Sequence, residues 1–191
     1  MGDGYLTNPL IFLVQVIFGL YVLIVMLRFL LQLTRADFYN PLSQFIVKAT
    51  SPVLNPLRRI IPGVGGLDIS SLVLAWLVKS VELLLTLALK QGGLLVVPAL
   101  LLAIPGLLEL TINIFLFAIL IQVILSWVNP GTYNPVVGVL HSLTEPLLGP
   151  ARRRIPAMGG IDLSPMVVMI GLVLLEMLLL PPVKALIASL L

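Results

Sequence analysis

Apolar residues occur along this chain in long uninterrupted runs, without the period of two that marks membrane-spanning strands. A helix of about 20 residues, at ~1.5 Å per residue, crosses the ~30 Å hydrocarbon core of a bilayer. Four runs reach that length, at about residues 9–31, 68–89, 107–127 and 162–180. Because a spanning segment must satisfy its own backbone polar groups, the pattern predicts an all-α membrane protein with four transmembrane helices.

One apolar stretch, from about residue 94 to 127, is too long for a single straight span because it reaches ~50 Å as a helix. Pro98 and the pair Pro105-Gly106 interrupt it, and proline removes a backbone donor inside a helix. The sequence therefore predicts a break, with residues 94–106 forming a short interfacial or re-entrant piece and the third span following it.

Prolines also mark two other predicted boundaries. Asn8-Pro9 has the composition of a helix start, with a capping residue followed by proline in the first turn. Pro181-Pro182 is expected to end the fourth span, which leaves residues 183–191 as a tail along the membrane surface.

Composition supports the membrane assignment and removes several kinds of chemistry. Hydrophobic residues make up 60% of the 191 positions and charged residues 10%, against about 25% charged in soluble domains. The chain has no cysteine, which excludes disulfides and thiolate metal sites, and His141 is its one histidine. We interpret His141 as a surface residue. No catalytic pair, phosphate loop or zinc spacing occurs, so we expect no enzymatic activity, no cofactor, no metal and no nucleic-acid contact.

The chain repeats itself at a shift of 94 residues. Of the 44 positions in residues 39–82, 17 are identical to their counterparts in residues 133–176. The matches include prolines, arginines, glycines and aspartates, which shared membrane composition does not explain. The predicted organisation is repeat one at 1–93, a broken apolar linker at 94–106, repeat two at 107–182 and the tail at 183–191. Two spans in each copy make the repeat parallel, which counts against an alternating-access transporter.

Each repeat contains a basic connector between its two spans. Seven of the eleven Lys and Arg residues lie in the connectors, which places the connectors in the cytoplasm and both termini outside. In residues 41–50 the side chains of Leu42, Phe45, Ile46 and Ala49 fall at helical spacing, with Ser43, Gln44 and Lys48 on the other side. This pattern predicts an amphipathic helix on the membrane surface. Ser51-Pro52 and Asn55-Pro56 are interpreted as caps followed by prolines.

Two interpretations of the connector arginines are open. In the first, the arginines only determine which side of the membrane the connectors occupy. In the second, they bind an anionic lipid headgroup or a cytoplasmic partner, which requires the arginines of the two connectors to converge. The candidate binding residues are Arg58, Arg59, Arg152, Arg153 and Arg154.

A helix-start pattern follows each connector. Asp68 and Asp162 precede the second span of their repeats, and each is followed by serine two residues later. Helix capping or pairing with the upstream arginines is one interpretation, and ion binding is the other. The residues of this pattern are Gly65, Gly66, Asp68, Ser70, Gly159, Gly160, Asp162 and Ser164.

Ionisable residues inside the spans are candidate functional groups because burying them in lipid is costly. Lys79 and Glu82 are three residues apart and share a helix face. Glu176 is the repeat counterpart of Glu82, but Val173 replaces its lysine. We hypothesise an intramembrane cluster in which Lys79 lies between Glu82 and Glu176, where spans two and four meet.

Two further charges lie near the span ends. Arg28 is expected to extend toward the cytoplasmic headgroups, and Glu109 is expected to pair with Lys90.

The pattern N-P-x(10)-P-x-L-x-P-x-R-R, closing in I-P-x-x-G-G-[LI]-D-[IL]-S, resembles that of the YggT family of bacterial membrane proteins, which has chloroplast relatives. The resemblance covers essentially the whole chain. It implies a small multi-span inner-membrane protein without established catalytic residues. Its relatives are associated with osmotic tolerance and ion homeostasis, with cell division or shape, and in plastids with assembly of a cytochrome complex and nucleoid distribution.

These observations predict a non-catalytic scaffold or assembly factor in the bacterial inner membrane. Its expected partners are anionic lipid headgroups and other membrane proteins, with a homo-oligomer also open. The alternative is an ion channel or transport accessory built on Lys79, Glu82 and Glu176.

Overall fold

The structure, a computed structural model, describes residues 3–63, 66–128, 134–155 and 162–191. Six α-helices account for most of this chain: α1 Asp3–Leu33, α2 Pro41–Ile60, α3 Ile69–Gln91, α4 Val96–Val128, α5 Pro135–Arg154 and α6 Ser164–Leu190. Of these, α1, α3, α4 and α6 are long and apolar enough to cross a membrane. The predicted all-α fold with four apolar spans is confirmed.

The helices α2 and α5 begin in the same way. Asn40 precedes α2, its Oδ1 accepts the Leu42 N–H at 2.9 Å, and Pro41 occupies the first turn. Asn134 does the same for α5, accepting from the Val136 N–H at 2.9 Å. An Asn cap followed by proline satisfies a free N–H and fixes the first helical φ, so this dipeptide starts both helices.

The four long helices pack in the order α1, α3, α4, α6. The helix α3 contacts both α1 and α4, and α4 contacts α6. The shorter helices α2 and α5 contact each other, and Asn40 donates a hydrogen bond to the Pro135 carbonyl at 2.7 Å. They therefore lie together at one end of the long helices, which we call the connector side.

The largest apolar core joins both halves of the chain. It contains Val25 and Met26 of α1, Ala75 of α3, Ala118 of α4 and Leu143 of α5, all buried. Most other large apolar side chains on the long helices are exposed or half-buried in the isolated chain. Exposed apolar surface on this scale fits a lipid environment.

The predicted break at residues 94–106 is wrong, because α4 continues from Val96 to Val128 with Pro105 inside it. Pro98 lies in the first turn, where a missing N–H costs no helical hydrogen bond. The carbonyl that Pro105 leaves without its helical donor is that of Leu101, and the neighbouring Leu100 carbonyl accepts a hydrogen bond from Trp76 Nε1 of α3 at 3.0 Å. Contacts from neighbouring helices make proline tolerable inside a membrane helix.

The other proline boundaries are also wrong. The helix α6 continues through Pro181 and Pro182 to Leu190, so no separate surface tail exists, and α1 begins at Asp3 rather than at Pro9. In lipid an ended helix would expose several unpaired backbone groups, whereas an internal proline removes one donor.

The connector α2 is likewise a single helix, with Pro52 and Pro56 inside it rather than after caps. Both prolines are exposed, and the Ser51 hydroxyl donates to the Val47 carbonyl at 2.6 Å. The sides of α2 also differ from the predicted pattern, since Ser43 is buried and Phe45 is 60% exposed.

Candidate functional site

In repeat one, the end of α2 is tied to the start of α3 by an ion pair. Arg58 donates to the Asp68 carboxylate, which is buried. Asp68 is also the N-cap of α3, accepting from the Ser71 hydroxyl at 2.5 Å. Burial by itself raises the pKa of Asp68, but the hydrogen bonds from Arg58 and Ser71 outweigh it and hold the pKa below the ordinary value of 3.8.

The counterpart in repeat two is more open. Arg152 contacts both Asp162, at 3.0 Å, and Glu145, at 2.9 Å, and the Asp162 side chain is 43% exposed. Asp162 accepts the Ser164 N–H at 2.9 Å, although Leu163 is the residue at the N-cap position of α6. Burial by itself raises the pKa of Asp162, but the hydrogen bonds from Ser164 and Arg152 together outweigh it and hold the pKa below its ordinary value.

The predicted binding arginines lie in separate places. Arg58 lines a cavity beside α1, and Arg152 lines another beside α4. Arg59, Arg153 and Arg154 are exposed. Each of the cavities that these arginines line contains connector arginines of one repeat only, so no cavity found in the described part of the chain joins the two groups.

The glycines of the helix-start pattern are only partly described. Gly65, Gly159 and Gly160 lie outside the described residues. Gly66 has φ +83°, a left-handed conformation that favours glycine. The hydroxyl of Ser70, in the first turn of α3, donates a hydrogen bond to the Ile61 carbonyl at 2.6 Å and so links the end of α2 to α3.

Lys79 and Glu82 form an ion pair within α3. Lys79 Nζ lies 2.8 Å from Glu82 Oε1, and Glu82 is buried. The other carboxylate oxygen, Oε2, has no hydrogen-bond partner among the described residues. The lysine lies against α4 at Gly106, where a Cβ would come within 3.1 Å of Lys79 Cε. A residue without a side chain at 106 therefore leaves room for the lysine between α3 and α4.

The expected cluster of three charges is wrong. The helices α3 and α6, both fully described, make no contact because α4 lies between them. Glu176 is half-buried on α6, and it forms no hydrogen bond or ion pair with any described residue. Counted from Ser164, it lies ~18 Å along the helix. Repeat one thus pairs its acidic residue internally, whereas the corresponding carboxylate of repeat two has no partner among the described residues.

Arg28 is a site residue whose role the sequence analysis missed. It was expected to extend toward the headgroups, but it is 5% exposed. Its Nη1 donates to Thr50 Oγ1 at 2.5 Å, Ser51 Oγ at 3.2 Å and the Val47 carbonyl at 3.1 Å. One feature of the sequence indicates that the hydrogen-bond partner of Arg28 is important: Thr50 is identical to its repeat counterpart, Thr144.

That counterpart threonine confirms the correspondence. Thr144 donates a hydrogen bond to Gln122, the residue 94 positions after Arg28. A polar side chain of the first span therefore binds a connector threonine in both halves, with arginine in one and glutamine in the other.

Two further pairs of ionisable side chains lie close together in the structure. Glu109 pairs with Lys184 of α6 at 3.2 Å, so the predicted Glu109–Lys90 pair is wrong. The pair joins α4 to α6 late in the latter helix. His141 is exposed and lies 3.5 Å from Glu145.

Four long apolar helices, with two shorter and more polar helices at one of their ends, define a multi-pass α-helical membrane protein. The chain belongs to the CCB3/YggT family, whose model matches residues 7–89 and again residues 101–183. The two matches are offset by 94 residues at both ends, which is the shift found in the sequence. No solved structure was found to match the chain.

Relatives from several bacteria match along most of their length. The chain is 49% identical to uncharacterized protein PA0392 of Pseudomonas aeruginosa over 176 residues, 91% of this chain and 89% of the relative. It is 44% identical over 167 residues to an uncharacterized protein in the proC 3'region of Vibrio alginolyticus, covering 86% and 90%. It is 40% identical to YggT of Escherichia coli K12 over 173 residues, covering 89% and 88%.

Proposed function

We propose that this protein is a non-catalytic scaffold of the bacterial inner membrane, which holds another membrane protein through its second repeat. The observation that carries the proposal is the half-buried carboxylate of Glu176, which has no partner among the described residues. An ionisable group at this depth in lipid is costly and calls for a partner.

The position of α6 supports an external partner. Among the helices of the chain, α6 contacts only α4 and α5. In its most apolar 18-residue stretch 11% of the residues are buried, which is the lowest share among the four spans. Leu175 and Met177, which flank Glu176, are 48% and 65% exposed. A second helix therefore has room to pack beside α6 and to reach the carboxylate.

The chemistry of that partner follows from the charge of Glu176. A second copy of this chain is disfavoured, because Lys79 is already paired with Glu82 and Arg28 lies close to the connector end of α1, at a different depth from Glu176. We therefore assign the position to a transmembrane helix of a different protein that carries a lysine or arginine at matching depth.

The alternative function, ion transport through Lys79, Glu82 and Glu176, loses its structural basis. These residues lie on helices that α4 separates, and they line no common cavity among those found in the described part of the chain. We do not propose it.

Site-specific photocrosslinking in native membranes tests the docking proposal. A photoreactive amino acid at Leu175 should capture one partner, identified by mass spectrometry, with the crosslink located on a helix that contains a basic residue. The matched control is Val81, its repeat-one counterpart, which is 42% exposed beside the paired Glu82. That position should not capture the same protein.

Two variants make the prediction specific to the charge. Glu176→Gln removes the carboxylate, and Val173→Lys supplies the i,i+3 lysine that repeat one has at Lys79. Each should lower the crosslink yield at least about tenfold, since a charged hydrogen bond is worth ~1.5–3 kcal/mol. Unchanged capture in both variants, or capture of a second copy of this chain, contradicts the proposal.

We also propose that the connector side faces the cytoplasm, as the excess of Lys and Arg in α2 and α5 predicts. The chain lacks cysteine, so single cysteines report topology without background. In cells with a permeabilised outer membrane, an impermeant maleimide should label Gln91→Cys at once. It should label Asn55→Cys only after the inner membrane is opened. The reverse order contradicts this orientation.

A further inference from the structure

A cavity of about 510 Å³ lies on the connector side, between the end of α1 and the polar side of α2. Three of its lining side chains are cationic: Arg28, Lys48 and Arg58. Gln32 and Gln44 add amide donors, and no described carboxylate lines it. Phe38 and Val47 supply apolar surface, and the polar part of the wall consists of groups that donate hydrogen bonds, three of them positively charged.

The charge of Arg28 is not neutralised by a direct contact. Its Nη1 is held by three neutral acceptors on α2, and its Nε and Nη2 donate to no described residue. Asp68 is bound to Arg58 and Ser71. Asp68 also attracts Arg28 through space, so one carboxylate serves two guanidinium groups. Because the excess buried positive charge is unfavourable, this arrangement indicates an anion that the cavity would hold.

Repeat two provides an internal comparison. Its corresponding cavity, of about 320 Å³, is lined by Gln122 in place of Arg28 and contains the Arg152–Asp162 pair. The counterpart of Lys48 is Ser142, which does not line it. Repeat two therefore keeps the fold of this region without the excess of positive charge.

We propose that the repeat-one cavity binds a phosphate group. Guanidinium groups match phosphate oxygens in geometry, and lysine contributes a point charge. Arg28 lies five residues before the end of α1, ~7.5 Å along the helix, which is close to the level of lipid phosphates in a membrane. The ligand is an anionic phospholipid headgroup or a small soluble phosphate compound, and the two share this chemistry.

The experiment measures the thermal unfolding midpoint of the protein in nanodiscs. In one arm the bilayer is phosphatidylcholine with increasing phosphatidylglycerol; in the other it is phosphatidylcholine alone, titrated with inorganic phosphate or glycerol phosphate at constant ionic strength. A ligand that binds the folded state raises the midpoint as its concentration rises. Saturable stabilisation in the first arm alone identifies a lipid, and in the second a soluble phosphate. Absence of saturable stabilisation in both arms overturns the proposal.

Three variants distinguish phosphate binding in this cavity from a general attraction of anions to the basic surface of the protein. Arg28→Gln introduces the residue that repeat two already uses to bind its connector threonine, so the fold is expected to persist. Lys48→Gln replaces an exposed residue of the cavity lining, so it tests the site even if Arg28→Gln does not fold. Arg59→Gln removes the same charge beside Arg58 but outside the cavity lining.

We expect the apparent affinity to fall about tenfold or more in Arg28→Gln and several-fold in Lys48→Gln, with a change under about twofold in Arg59→Gln. A loss in Arg59→Gln as large as that in Arg28→Gln would mean surface attraction only and would overturn the proposal. So would equal affinity in all three variants and the wild type.

Discussion

Replacing Lys79 with methionine is expected to lower the free energy of unfolding by about 3 kcal/mol, because it leaves the buried Glu82 carboxylate without its counterion. Methionine keeps most of the apolar stem that lies against Gly106, so the lost charge rather than a cavity dominates the effect. Chemical unfolding in detergent micelles, followed by circular dichroism, measures the change.

The double variant Lys79→Met, Glu82→Met provides the control. Removing both charges together should return the stability to within about 1 kcal/mol of the wild type, since a buried ion pair contributes little net stability over apolar residues of similar size. Glu176→Gln should change the stability of the isolated protein by under about 1 kcal/mol, because no residue that the structure describes pairs with Glu176. Equal losses from Lys79→Met and Glu176→Gln would contradict this account of the two carboxylates.

Replacing Asp68 with asparagine is expected to lower the free energy of unfolding by about 2 kcal/mol at neutral pH. Asparagine caps a helix as well as aspartate does, so the substitution isolates the ion pair with Arg58 from the N-cap of α3. Asp68→Ala also removes the cap and should cost ~1 kcal/mol more.

The pH dependence of Asp68→Asn gives a second readout. The folded-state pKa of Asp68 lies below its ordinary value of 3.8, so its stabilising contribution is fully present well above pH 3.8. The contribution falls as the pH drops from about 3.8 through the lower folded-state pKa. The gap between wild type and Asp68→Asn should therefore stay constant from pH 7 to about pH 5 and close in stronger acid.

Asp162→Asn is the matched comparison in repeat two. Its carboxylate is 43% exposed, so solvent screens the interaction with Arg152 and the loss should be smaller than at Asp68. A gap for Asp68→Asn that widens as the pH falls toward 4 would show that the ion pair does not stabilise the folded state.

The apolar runs were sufficient to predict the four spanning helices, because length and hydropathy decide which segments enter a bilayer. They were not sufficient to predict where each helix ends. Pro105, Pro181 and Pro182 disrupt helices in water, but in this protein each remains inside a helix. The local rule failed because lipid makes an ended helix more costly than one missing donor.

Only part of the candidate site could be predicted from the sequence, and the reason differs from that for the helix ends. The repeat alignment correctly related Glu82 to Glu176 and Thr50 to Thr144, but equivalence between repeats does not say which helices are neighbours. Placing α4 between α3 and α6 separates the two glutamates. Arg28 was missed because its burial depends on α2 folding back against the end of α1, which no local pattern encodes.

The uninterrupted helix α4 has a mechanical consequence. Its 33 residues extend ~50 Å, whereas the hydrocarbon core of a bilayer is ~30 Å thick. Such hydrophobic mismatch is relieved by tilting the helix or by thickening the surrounding lipid. Because α4 lies between α3 and α6, a change in its tilt would alter the angle between the two repeats. We therefore expect the relative position of the two repeats to depend on the thickness of the bilayer.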